Sequence, residues 1–181
     1  MKSPSRPAGN IPYSVRSIAL MGVLGALLIL VQVGLAVLPN IELVSLLIIL
    51  YALVFGKYAL IPVFLFILVE GLIYGFGMWW LNYLYIWPIL VVVALLFKKQ
   101  RNHLFWMIVS AAFGLCFGAL CAIPYLFIGG LPSAFAYWLQ GIPFDLLHCF
   151  GNGVVAFLLF NPLLKLLERL DVRMLTKEAA E

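Results

Sequence analysis

Apolar residues run along this chain in long, nearly unbroken blocks, and the breaks between them are short and rich in Pro, Gly, Asn or Lys. A helix crossing the hydrocarbon core of a bilayer needs about 20 mostly apolar residues, so each block reads as a membrane span. Backbone groups in lipid have no water to bond, which makes helices the expected form and strand alternation irrelevant. The first helix is predicted over Ser14 to Leu38, stopped by the turn signal Pro39-Asn40. A second covers Ile41 to Phe55, a short Gly56-Lys57 turn follows, and a third covers Tyr58 to Phe76. The fourth runs from Leu81 to Phe97 and is closed by Lys98, Lys99 and Arg101; the fifth covers His103 to Ile123. Pro124, Gly129, Gly130 and Pro132 predict a loop, after which the sixth helix starts near Ala134, is interrupted around Gly141 and Pro143, and passes Asn161-Pro162 into a charged tail.

The fold class is therefore all-α: a polytopic membrane protein with a six-transmembrane-helix bundle. Three parts are expected: a flexible cytoplasmic leader at 1–13, a six-helix membrane domain at 14–170, and a cytoplasmic tail at 171–181. The first apolar block is too long for a signal-peptide core and lacks a small-residue cleavage site, so it stays as a helix. No internal repeat is visible, which disfavours an inverted-repeat transporter.

Composition agrees, with 66% hydrophobic and only 10% charged residues. Charge adds the orientation. With the N-terminus inside and six crossings, every Lys and Arg of the chain falls on the cytoplasmic side: Lys2, Arg6, Arg16, Lys57, Lys98, Lys99, Arg101, Lys165, Arg169, Arg173 and Lys177. Such a bias sets topology, and both termini are expected in the cytoplasm, in a multi-pass protein of the bacterial cytoplasmic membrane. Four of the seven acids share the cytoplasmic tail, whereas Glu42, Glu70 and Asp145 lie towards the outer side without a basic neighbour.

Ionisable residues within a membrane are costly and mark functional sites by default. Asn40, Glu42, Glu70, Tyr74, Asn82, Gln140, Asp145 and His148 all fall near the outer boundary, and Asp145, His148 and Asn152 share one helical face. Glu42 also suits a helix N-terminus, and Asp145 with His148 suits an interhelical tie. The stretch Gly77 to Trp87 reads GMWWLNYLYIW. Interfacial belts account for part of this aromatic richness. Trp80, Tyr83 and Trp87 fall on one face, with Trp79 and Tyr85 pointing elsewhere, so one face is expected to anchor in lipid and another to line a pocket for a flat or bulky organic ligand.

Other chemistry is missing. There is no phosphate-binding loop, no zinc-protease His pair and no nucleophile elbow, and Gly56-Lys57 lacks the surroundings of a phosphate cradle. Cys116, Cys121 and Cys149 lie within apolar segments without a Cys-x-x-Cys pair, which argues against disulfides or zinc. Neither a metal nor a cofactor is expected, no nucleic acid is a partner, and the chain is read as no enzyme.

Helix 1 carries Ala19, Gly22 and Ala26 in register, a spacing that lets another helix approach closely in lipid. With this stripe, PNIELVSLLIILYALVFGKYAL and VEGLIYGFGMWWLNYLYIW, the chain resembles the substrate-binding S components of energy-coupling factor (ECF) vitamin transporters over about residues 14–170. The resemblance implies a high-affinity binding subunit that captures a vitamin from outside. It also implies docking on a membrane coupling (T) subunit that sits on two cytoplasmic ATPases, where ATP is used. Family members dock through Ala-x-x-x-Ala on helix 1. The nearest matches here are Gly22-x-x-x-Ala26 and Ala19-x-x-x-Val23, which departs from the motif in letter but not in size.

By position, the resemblance places the ligand against Pro39 to Glu42, Phe76 to Tyr83, Leu126 to Ala134, Gln140, Asp145 and His148. Cobalamin is the first expected vitamin, with pyridoxine or pyridoxamine as the alternative. Glu70 and Asp145 without Lys or Arg argue against a strongly anionic ligand. Two other classes remain: a proton-coupled transporter using Glu70, Asp145 and His148 as a relay, and an intramembrane enzyme.

Overall fold

The computed structural model describes the backbone of residues 15–37 and 41–178, and side chains as far as residue 170. Residues 1–14, 38–40 (Asn40 included) and 179–181, and the side chains of 171–178, lie outside the described residues. Six α-helices follow in order: α1 Val15–Gly34, α2 Val44–Phe55, α3 Leu60–Tyr74, α4 Met78–Leu96, α5 His103–Cys121 and α6 Ile123–Glu178, with a 3-10 turn Gly56–Ala59 between α2 and α3. No strand occurs among the described residues.

Five stretches are long and apolar enough to cross a membrane, α2 and α3 counting together as Val44–Tyr74. That stretch folds back on itself. The Tyr51 hydroxyl of α2 donates to Leu24 O of α1 (3.3 Å), while Leu65 of α3 packs on the adjacent Gly25. A straight helix would separate residues 51 and 65 by about 21 Å at 1.5 Å per residue, too far for both to reach one turn of α1. The reversal sits at Gly56, whose φ of 62° a side-chain-bearing residue rarely adopts.

The helix α2 is the centre of the bundle. Eleven of its residues are buried, from Val44 through Leu53 and again at Phe55. A helix apolar all round has no solvent face to present, and here all its sides meet protein. The outer helices show the reverse pattern, with Val15, Ile18, Leu30, Phe64, Leu72, Val92 and Phe157 exposed. Large apolar residues on the outside and polar ones within suit a bundle bathed in lipid.

The sequence-based boundaries differ most at α5 and α6. The segment read as a Pro/Gly loop is helical apart from Gly129 and Gly130, the only residues of α6 with non-helical angles. Pro124 falls in the first turn of α6, and Pro132 follows just after the break. Prolines at such positions cost nothing, because the first helical N–H groups have no intrahelical acceptor. The expected interruption at Gly141 and Pro143 is likewise absent; Pro143 stays within the helix. Pro143 occupies an exposed position of the helix, and membrane helices tolerate prolines of this kind.

Residues 103–128 and 131–170 form one long antiparallel hairpin whose tip is the break at Gly129 and Gly130 within α6. Tyr125 stacks on Tyr137 near its tip (4.2 Å between centroids), Gly118 meets Asp145 and Gly114 meets His148 further down, and Trp106 stacks on Phe160 near its base. Below that, Arg101 pairs with Glu168 at 3.8 Å. The two glycines set the closeness. A Cβ at Gly114 would come 2.7 Å from the His148 carbonyl, and one at Gly118 would overlap the Asp145 carboxylate.

Candidate functional site

The site begins with a column of rings rising from α4. Trp79, Tyr83 and Trp87, spaced four apart, are joined edge to face at 5.2 and 5.4 Å. Trp87 then meets Phe113 and Phe117 of α5, both at 5.7 Å, and Phe66 of α3 packs on Tyr83 and Trp87. Phe117 in turn presents its ring to His148 at 5.0 Å. Such edge-to-face pairs add to the burial of the rings themselves.

This corrects the face expected from spacing. Trp79, not Trp80, continues the Tyr83 and Trp87 column. Trp80 turns to α3, where its Nε1 donates to Ile67 O (2.9 Å) and its ring meets Phe76 at 5.0 Å. The absent side chain of Gly71 makes that room, since a Cβ there would collide with Phe76 and Trp80. Tyr85 is engaged as well: its hydroxyl donates to Leu120 O of α5 (2.6 Å) and lies 3.0 Å from Asn82 Oδ1.

Polar groups gather beside the column. Glu42 stands just before α2 and does two things at once. Its Oε2 accepts from the Ser45 backbone N–H (2.8 Å), satisfying a donor at the helix start, and its Oε1 lies 3.3 Å from His148 Nε2 of α6. Both side chains of that pair are largely buried. One turn further along α2, Ser45 Oγ accepts from Asn152 Nδ2 (3.2 Å). Asp145 Oδ1 accepts from the Gly118 N–H (2.8 Å), which pins the carboxylate flat on the glycine. Glu70, on α3, is buried, and the hydroxyl of Tyr83 lies within electrostatic reach of both Glu70 and Glu42.

Several buried polar atoms have no hydrogen-bond partner: Glu70 Oε1, Asp145 Oδ2, Trp87 Nε1 and Asn152 Oδ1. A buried polar group without a partner costs free energy comparable to a lost hydrogen bond, so four in one region mark it as incomplete.

No family model matches the sequence, and neither a curated protein nor a solved structure is detectably similar to it. The geometry therefore carries the argument for a binding site, beside the resemblance read from the sequence.

Of the residues singled out from sequence, Glu42, Glu70, Asn82, Tyr83, Trp87, Asp145 and His148 lie in or beside this region. Tyr74 is 56% exposed and Gln140 is exposed as well, so both stand on the outside of the bundle. Sequence reasoning passed over Ser45, Phe66, Phe113, Phe117 and the glycine pair of α5. Gly114-x-x-x-Gly118 was legible as a small-residue pair, and Ser45 is a lone hydroxyl at the head of an apolar helix.

On α1, Ala19, Val23 and Ala26 are exposed, and a methyl added at Gly22 would meet nothing within 4 Å. Gly25 faces inward, where a Cβ would sit 2.7 Å from Leu65. Among the described residues no group of three His, Cys, Asp or Glu is placed to hold a metal ion. Chemically, the region offers an aromatic wall, two carboxyl oxygens and an indole N–H without partners, and an imidazole tied to a carboxylate: the equipment of a recognition site.

Proposed function

We propose that this protein is the substrate-binding subunit of an ECF-type importer, taking a vitamin from the outer face of the membrane and handing it on within an ATPase-driven complex. One observation carries the proposal. Polar side chains from α2, α3, α4 and α6 converge beside a packed aromatic column with four buried polar atoms unpartnered, an arrangement a small organic ligand would complete. In this reading the chain crosses the bacterial cytoplasmic membrane six times with both termini inside. Cobalamin is the first candidate, and a pyridoxine-type vitamin the second. The coupling subunit meets the open stripe Ala19, Gly22, Val23 and Ala26 on α1, and ATP hydrolysis belongs to the partner ATPases. The chain transforms nothing.

The test is to purify the protein in mild detergent from cells grown in vitamin-rich medium and identify co-purified small molecules by mass spectrometry and absorbance. A bound corrinoid or B6 vitamer is the expected result. An empty protein that binds no member of a vitamin panel would reject the proposal.

The Glu42 and His148 pair favours one other reading, a proton-coupled transporter in which Glu70, Asp145 and His148 relay protons. Against it, the hydrogen-bond chain through Ser45 stops at Asn152, whose Oδ1 has no partner. Uptake in the absence of any ATPase, abolished by a protonophore, would establish the relay instead.

A further inference from the structure

The unpartnered atoms say something about the ligand's charge. Glu70 is only 2% exposed and its Oε1 has no hydrogen-bond partner. Asp145 is 5% exposed; the Gly118 N–H takes its Oδ1, and nothing takes its Oδ2. His148 is the one basic group in the region, and it is engaged by Glu42. The described Lys and Arg residues belong to the other end of the bundle: Arg16 opens α1, Lys57 sits in the α2–α3 turn, Lys98, Lys99 and Arg101 join α4 to α5, and Lys165 and Arg169 follow on α6.

A carboxyl buried without a counter-charge is expensive, and breaking such a pair leaves the remaining charge uncompensated. Here the fold itself holds a half-satisfied carboxyl at Asp145 and another at Glu70 with an unpartnered oxygen, near ring faces that attract cations. We propose that the ligand is a cation: a flat ring carrying a protonated amine or an equivalent positive group, received by Glu70 beside Tyr83, with Asp145 as the second carboxylate. This rests on the binding role proposed above and names the substrate class of the same site, favouring a pyridoxamine-type vitamin over cobalamin. Tyr83, half-buried and packed on Trp87 and Phe66, supplies the ring against which the flat part lies. Trp87 Nε1, a buried donor without an acceptor, adds a second requirement: an oxygen or ring nitrogen on the ligand to receive it. An anionic ligand would add like charge to the two carboxylates, and a neutral one would leave them as they are.

The experiment uses matched pairs that differ by one charge, pyridoxamine against pyridoxine and benzylamine against benzyl alcohol, with pyridoxal phosphate and cobalamin alongside. Binding is measured by calorimetry on the full-length protein in detergent near neutral pH. Each amine is expected to bind about ten- to a hundredfold more tightly than its alcohol, the worth of a charge-assisted hydrogen bond. Glu70→Gln is expected to bring the two members of each pair close to parity, and Asp145→Asn to narrow the gap partly. Melting curves on both variants establish that they fold, and either variant alone suffices for the comparison.

Equal or tighter binding of the alcohols, or binding of pyridoxal phosphate or cobalamin without the amines, would overturn the cationic ligand while leaving the binding-subunit proposal standing. Amine preference that survives in both variants would also overturn it. Failure of every compound to bind would remove both proposals together.

Discussion

Two helices in this protein carry small residues four apart, and the structure treats them oppositely. On α5, Gly114 and Gly118 are closed: α6 lies so near that neither can accept a methyl group without meeting His148 backbone or the Asp145 carboxylate. On α1, Gly22 faces open space, with exposed Ala19, Val23 and Ala26 around it, while Gly25 three positions on packs against Leu65. Small-x-x-x-small spacing licenses a close approach in lipid, where van der Waals contact replaces the hydrophobic effect as the driving force. It does not say whose helix makes the approach. The closed stripe joins α5 to α6; on the proposed reading, the open one receives the coupling subunit.

The largest expected effect breaks the closed stripe. Gly114→Leu forces a branched side chain into backbone at 2.7 Å. Overpacking of this kind costs about 3 kcal/mol or more where neither neighbour can give way, and α6 backbone cannot. Unfolding by SDS titration should show that loss, or no folded protein at all. Gly22→Leu is the contrast: its stability should stay within about 0.5 kcal/mol of the parent, as for an exposed position. On the proposed reading, Gly22→Leu and Ala26→Leu retain ligand binding and lose ATP-driven uptake. Normal uptake in both would reject α1 as the docking face.

A smaller effect comes from Gly118→Ala. The added methyl takes the place of the Asp145 carboxylate, which must rotate away and give up the Gly118 N–H. Loss of a buried hydrogen bond to a charged acceptor costs about 1.5–3 kcal/mol. Because the same movement displaces a carboxylate from the site, ligand affinity should fall about tenfold, an energy of about 1.4 kcal/mol. Parent-like affinity at reduced stability would remove Asp145 from the binding role.

Smaller still is the coupling between Glu42 and His148. The closed stripe sets the position of α6, so it also sets the 3.3 Å between Oε1 and Nε2. A double-mutant cycle with Glu42→Gln and His148→Gln should return an interaction energy of about 0.5–1.5 kcal/mol, within the range for residues in contact. Repeating the cycle in a Gly114→Ala background should bring it towards zero, since a methyl there pushes on the His148 carbonyl. A coupling that persists would mean that Glu42 follows α6 wherever it goes.

What the sequence revealed and what it hid have physical causes. Long apolar blocks made the helices legible, and the acids without basic neighbours marked the end of the bundle where Glu42 meets His148 and Asp145 meets Gly118. The α5–α6 hairpin was obscured by local chemistry. Pro124 and Pro132 lie where proline is harmless, and Pro143 stays within the helix, so a count of prolines overstated the loop. The aromatic column was misassigned by a single residue: Trp79 and Trp80 are adjacent, both lie within one helical turn of Tyr83, and the choice between them depends on Gly71 making room for Trp80 on α3. That α2 is buried on all sides could not be read from its own residues, because a helix facing lipid and a helix surrounded by protein are equally apolar.

The gentlest substitution sharpens the contrast most. Gly22→Ala adds one methyl in space where nothing lies within 4 Å. Alanine is about 1 kcal/mol better than glycine in a helix interior, so the protein alone should be unchanged or slightly more stable. Uptake should also persist, because alanine still permits the close helix contact that leucine forbids. Gly114→Ala, the same chemical change on the closed stripe, should instead destabilise, since propensity gains less there than the clash with α6 loses. If the two alanines behave alike in the isolated protein, Gly22 is packed within the bundle after all. The distinction between a stripe that joins two helices of the bundle and a stripe that, on the proposed reading, receives the coupling subunit then disappears.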